Sequence, residues 1–203
     1  MTRFGIRALI ALTLLVAALS GCSQEGTLVI VNDAATEFTG TVDGTQVTLD
    51  PGAAYETSVY IGKSLAIVGP DKINVIVSGS ATTKRAFTEE IGVTSDETTT
   101  YVIQDDAGAI LFTNLHIKAV NEIKISECDS LKWGPNLLAP KQTISPGAAV
   151  TLQIDGDCWD IQINYDRADS LDVVESVQID VGQIIEMDWA PGYTYPPPVP
   201  PTR

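Results

Sequence analysis

The chain has 203 residues, 44% of them hydrophobic, and carries 12 Lys and Arg against 26 Asp and Glu, a formal charge of −14. So acidic a surface repels phosphate backbones and anionic headgroups, which argues against nucleic acid as a partner and against membrane attachment through a basic patch. The length allows one large domain or two small ones.

In chain order, Arg3 and Arg7 form a short basic start, followed by an uncharged apolar run from Ala8 to Leu19. That run falls short of the about 20 apolar residues that cross a bilayer. It fits the apolar part of a secretory signal, which is removed and takes no part in the fold. The run closes on Leu19-Ser20-Gly21-Cys22, which resembles the bacterial lipobox. The resemblance implies a lipoprotein signal peptide over 1–21, cleavage before Cys22, and acylation of the Cys22 thiol. Residues 22–26 then form a lipidated N-terminus and short tether. The alternative is an ordinary signal peptide with a cysteine nearby by chance. Two or more acyl chains anchor stably, because each buried methylene contributes about 0.8 kcal/mol. Ser23 stands where an Asp marks enterobacterial lipoproteins for the inner membrane, which favours an outer-membrane address. Without Arg3 and Arg7, 10 basic residues face the same 26 acidic ones, a charge of −16.

From Gly26 onward, short runs rich in Val, Ile, Thr and Tyr alternate with Gly, Pro, Asp and Asn, the pattern of strands and turns. Strands are predicted at Thr27 to Val31, Thr45 to Leu49, Ala54 to Tyr60 and Ser64 to Val68. The series continues at Ile73 to Val77, Arg85 to Ile91 and Thr98 to Gln104. No 3.6-residue apolar stripe comes after the signal peptide, so the mature chain is expected to be all-β.

The series then repeats. Gly26-Thr-Leu-Val-Ile-Val-Asn32 aligns with Gly108-Ala-Ile-Leu-Phe-Thr-Asn114, and Leu49-Asp-Pro-Gly-Ala-Ala54 with Ile144-Ser-Pro-Gly-Ala-Ala149. Glu90-Ile-Gly-Val-Thr94 aligns with Ser176-Val-Gln-Ile-Asp180. Landmarks in matching order predict two tandem small β-sandwiches of immunoglobulin-like or transthyretin-like type, at 27–105 and 108–189. The second copy has an inserted loop, Cys128 to Lys141, and the first has extra residues around Gly69 to Ser80. Residues 190–203, rich in proline, are expected to form a disordered tail.

The second copy carries Ile123-Lys-Ile-Ser126, Trp133-Gly-Pro-Asn-Leu-Leu138, Ile144-Ser-Pro-Gly147 and Cys158-Trp-Asp-Ile161. This set resembles a module found in exported bacterial proteins of unknown function and spans roughly 108–189. The resemblance implies a β-sandwich and no chemistry.

With Cys22 acylated, Cys128 and Cys158 remain as an even pair in an oxidising setting, which predicts a disulfide. Catalytic readings lack parts. His116 is the only histidine, no Gly-x-Ser-x-Gly elbow accompanies it, and it is expected on an exposed strand. Gly62-Lys63-Ser64 resembles the end of a phosphate loop, but the required earlier glycine is Thr57. Asp155, Asp157 and Asp160, with Asp166, Asp169 and Asp172, suggest calcium, yet Asp155-Gly156 reads better as a solvated hairpin turn. Trp159 is expected to pack on the disulfide. Trp133 and Asn136, on the inserted loop, are the candidate binding surface, although folding of that loop back onto the sandwich is the favoured arrangement. The expected function is a non-enzymatic, membrane-anchored binding or scaffolding component of the cell envelope. It needs no metal and no cofactor, and its partner is an envelope protein or glycan. A carbohydrate- or calcium-binding module is the alternative, followed by a hydrolase using paired carboxylates.

Overall fold

The computed structural model describes residues 23–63, 72–128, 130, 132–165 and 170–195. The expected signal peptide, Cys22, the strand at Ser64 to Val68, Asp166, Asp169 and tail residues 196–203 lie outside them. The described residues contain thirteen strands and no helix. The first sandwich holds β1 (Ser23–Asn32), β2 (Phe38–Val42), β3 (Thr45–Leu49), β4 (Ala54–Lys63), β5 (Lys72–Ala81), β6 (Lys84–Thr94) and β7 (Thr98–Ile103). The second holds β8 (Gly108–Asn114), β9 (Val120–Glu127), β10 (Ala149–Ile154), β11 (Asp157–Tyr165), β12 (Ser170–Ile179) and β13 (Ile184–Trp189).

Each sandwich closes in the same way. In the first, a β4-β1-β7 sheet packs on a β3-β2-β5-β6 sheet; in the second, β10-β8-β13 packs on β12-β11-β9. The first and last strands of each copy, β1 with β7 and β8 with β13, pair in parallel. A parallel pair needs a long crossover, and here the whole second sheet supplies it. Period-two alternation buries one face of strands such as β3 and β13. The two apolar cores are therefore separate, one around Leu28, Phe38 and Val77, the other around Phe112, Ile163 and Trp189.

β2 is absent from the predicted strands, because Gly40 interrupts its apolar pattern. The fold uses that glycine. Gly40 pairs with Gly79 across β2 and β5, and a Cβ on either would lie within 2.5 Å of the Phe38 ring. The ring lies over the glycine pair and covers backbone that two missing side chains leave bare. Gly26 and Gly108 play matching parts in the two copies. A Cβ at Gly26 would come 2.3 Å from the Thr94 carbonyl, and one at Gly108 2.3 Å from Ile179 Cγ2.

Two expectations about the chain ends are corrected. The tether expected over 22–26 is strand from Ser23 onward, with Ser23 opposite Lys63 and Gln24 opposite Gly62. Cross-strand backbone pairing outweighs the polar, flexible look of Ser23-Gln-Glu-Gly26. At the other end, residues 190–195 of the expected disordered tail are held. Tyr193 and Tyr195 pack on the second core, Tyr193 N–H bonds Ala190 C=O at 2.9 Å, and Gly192 N–H bonds the Asp172 carboxylate at 3.1 Å. Aromatic burial orders these residues despite the neighbouring prolines.

Candidate functional site

The two asparagines that end the repeat's first landmark are buried, and each makes the same three bonds. Asn32 Nδ2 donates to Thr36 C=O and Leu49 C=O, both at 2.9 Å, while Oδ1 accepts from Ala34 N–H at 3.1 Å. Asn114 Nδ2 donates to Lys118 C=O and Ile144 C=O, both at 2.8 Å, and Oδ1 accepts from His116 N–H at 3.0 Å. The Pro-Gly turns dock on the same residues. Gly52 N–H and Gly147 N–H each donate at 2.7 Å to the Asn32 and Asn114 carbonyls, with φ of +78° and +75° that suit glycine. The asparagines thus tie a tip loop and a turn to the end of the central strand.

The tips beyond the two asparagines differ. In the first copy the tip is Asp33-Ala34-Ala35 and abuts the junction with the second sandwich, where Ala35 N–H bonds the Asp105 carboxylate at 3.0 Å. In the second copy the same positions are Leu115, His116 and Ile117, at the far end of the molecule, and Ile117 is 82% exposed. His116 is not the exposed strand residue expected. It sits half-buried in the bend, with its ring edge-on to Tyr165 at 4.9 Å and to Trp189 at 6.1 Å.

The junction is bonded throughout. Asp106 N–H and Ala107 N–H donate to the carbonyl of buried Thr83 at 3.1 and 3.0 Å, and the Thr83 hydroxyl donates to Asp105. Gln153 Nε2 donates from β10 to Thr82 C=O at 3.0 Å. Arg85 pairs with Asp155 across the junction, and that bond raises the Arg85 pKa. Burial opposes the charge on Asp106, but the Lys84 ammonium at 2.8 Å and the Arg85 backbone amide outweigh it and hold the carboxyl below its ordinary range. Glu37, Thr39, Ser80, Thr151 and Gln153 line an open polar depression of about 590 Å³ beside these contacts.

The inserted loop folds back onto the sandwich, as favoured from its sequence. In the first copy β3 pairs with β2, Leu49 opposite Phe38. In the second, the corresponding pair Ile144 and Val120 forms only an isolated bridge. The loop between runs along β9 instead, with Gly134 N–H on Ile125 C=O at 2.9 Å and Leu137 N–H on Ile123 C=O at 2.8 Å. Asn136 Oδ1 accepts from Ile123 N–H at 3.0 Å and Leu138 N–H at 3.1 Å, standing in for a strand carbonyl. The loop covers a sheet edge. Of the two residues proposed for binding, Asn136 spends its carbonyl on the fold, whereas Trp133 keeps 38% of its surface exposed. The Cys128–Cys158 disulfide, Cα to Cα 5.5 Å, ties the base of the loop to β11.

The acidic residues diverge. Asp155 faces Arg85, Asp157 caps Cys158 N–H at 2.7 Å, and Asp160 accepts from Ser176 N–H at 2.9 Å beside the β11 bulge. Asp172 receives the Trp189 indole N–H at 2.8 Å. Among the described residues, no three His, Cys, Asp or Glu converge to hold a metal ion. Trp159 packs on the second core and donates its indole N–H to Asp155 C=O at 2.9 Å.

No family model and no curated protein matches the chain. Among solved structures it is similar to the Bacillus anthracis TIE protein, at 12% identity and TM-score 0.31, over 82% of this chain and 34% of that one. The chain thus spans about a third of that protein's length. It is also similar to a DUF3823 family protein from Parabacteroides merdae, at 10% identity and TM-score 0.25, over 78% of this chain and 100% of that one. The minor pilin of Streptococcus agalactiae matches at 10% identity and TM-score 0.28, over 88% of this chain and 100% of that one. Similarity this low carries no functional implication.

Proposed function

We propose that the protein is exported, cut before Cys22 and held in the envelope by acyl chains on that cysteine. Its two sandwiches then serve as a non-enzymatic binding or scaffolding component, with the outer membrane favoured by Ser23. The observation that carries this reading is that Leu19-Ser20-Gly21-Cys22 closes the apolar run directly before Ser23, the first described residue, which is already paired with Lys63. Cleavage at the lipobox would therefore remove the apolar leader and leave every described strand whole. The Cys128–Cys158 bridge supports an oxidising compartment. The contact surface lies on the second sandwich at Trp133, whose partner is an envelope protein or glycan.

Metabolic labelling with a clickable fatty acid tests the anchor. The wild type should be labelled and sediment with membranes, while a Cys22→Ser variant should be unlabelled and soluble. An unlabelled wild type, or equal labelling of the variant, would overturn the reading. Crosslinking in intact envelopes should recover a stoichiometric protein partner, reduced by Trp133→Ala. Recovery of glycan alone would replace scaffolding with carbohydrate binding.

A further inference from the structure

The pairing of Ser23 in β1 limits where the first sandwich can sit. Cys22 is joined by one peptide bond to Ser23, which is already in register with Lys63, and one residue of extended chain reaches about 3.6 Å at most. Acyl chains on Cys22 would therefore place this end of the sandwich at the headgroups. Other segments meet there. Gly26 packs against the Thr94 carbonyl, Lys72 and Ile73 pair with Thr94 and Val93, and Tyr60 is opposite Glu25.

This end carries exposed apolar side chains. Tyr60 is 52% and Ile73 40% exposed, and the two flank a cleft of about 240 Å³ between β4 and β5 that Val59 and Asn74 also line. The stem of Lys72 lies over Gly92, where a Cβ would collide with its Cε at 1.7 Å. Lys72 is outnumbered by exposed Glu25, Asp96 and Glu97 at the same end, so the surface is net acidic and suits zwitterionic rather than anionic headgroups. A phenol beside an aliphatic side chain matches the interface, where one part of a side chain meets hydrocarbon and another meets water.

We infer that the end of the first sandwich bearing Tyr60 and Ile73 docks on the headgroup layer of the leaflet that holds the Cys22 acyl chains. The inference rests on the acylation proposed above. The one-residue tether keeps the surface at high effective concentration at the bilayer. The bonded junction then carries the second sandwich outward, at least the ten residues of β1, about 33 Å, from the membrane. The molecule stands up from its anchor, with Ile117 at its free end.

Tryptophan quenching tests this. The three native tryptophans, Trp133, Trp159 and Trp189, all belong to the second sandwich. Full-length acylated protein is reconstituted into phosphatidylcholine–phosphatidylethanolamine vesicles in which the phosphatidylcholine is brominated near the headgroup. Wild-type emission should be unchanged. In Tyr60→Trp, and independently in Ile73→Trp in case the first variant fails to fold, the added emission should fall at least twofold. Ile117→Trp should behave as wild type. Full emission from both position 60 and position 73, in protein whose mass shows acylated Cys22, would overturn docking. So would quenching at position 117 equal to that at position 60, because the molecule would then lie flat. A mass lacking the acyl group would remove the anchor reading itself, and docking with it.

Discussion

Replacing Asn114 by alanine tests whether the repeated asparagine holds the second sandwich together. The change removes a buried donation to the Ile144 carbonyl and a part-buried one to the Lys118 carbonyl, both at 2.8 Å, and the part-buried acceptor for His116 N–H at 3.0 Å. The Ile144 carbonyl keeps its bond from Val120 N–H at 2.9 Å, so the Lys118 carbonyl and His116 amide carry most of the penalty. At about 1–3 kcal/mol for each buried group left without a partner, and toward the low end because these two are part-buried, the expected loss is about 2–3 kcal/mol. For a domain of this size that lowers Tm by about 10–20 °C. Tryptophan fluorescence during heating reports the second sandwich, since Trp133, Trp159 and Trp189 all lie in it. Asn32→Ala should lower the first sandwich's transition, read by far-ultraviolet circular dichroism, and leave the tryptophan transition nearly in place. A drop under about 3 °C for Asn114→Ala, below the 4–8 °C that even 1 kcal/mol would produce in a small domain, would refute the reasoning. So would an equal drop in the tryptophan transition for both variants.

Three further outcomes are expected. Reducing Cys128–Cys158, or replacing both by alanine, frees a closed loop with a sequence separation of 30 and should destabilise the second sandwich by about 3–4 kcal/mol in urea denaturation. Desolvation first, then its hydrogen bond with Glu89, raises the Tyr101 pKa from 10.0 to about 12. Folding thus favours the protonated phenol, and the stability it contributes is present below about pH 10 and lost as pH rises through about 12, measurable as late phenolate absorbance in the near ultraviolet that Tyr101→Phe removes. Asp106 is shifted the other way, burial opposing its charge but Lys84 and the Arg85 amide prevailing. Its contribution is therefore present above the usual Asp pKa of about 4 and lost as pH falls through its lower folded value. A carboxyl NMR titration should place its midpoint below that of a model Asp, and Lys84→Ala should move it up.

Much of the architecture is legible in the residues alone. Short runs of Val, Ile and Thr broken by turn residues set the all-β class, because strand propensity and turn chemistry are local properties of the chain. The Asn and Pro-Gly landmarks mark the repeat, since a buried asparagine cap and a positive φ each demand particular residue types. The even cysteine pair likewise points to the bridge between the end of β9 and β11. Tertiary structure decides the rest. Gly40 hides β2, because only the Phe38 ring, packed from the same strand across to Gly79, makes a strand there worthwhile. Asn136 looks like a surface contact until its carbonyl meets the edge of β9. Ser23 to Gly26 look like a tether until β4 pairs with them, and Tyr193 and Tyr195 look like tail until the second core receives them. The physical reason is common to all four: periodicity and turn chemistry depend on near neighbours in sequence. Edge pairing, capping across strands and the burial of a ring depend on which distant segment arrives, and only the closed fold supplies that.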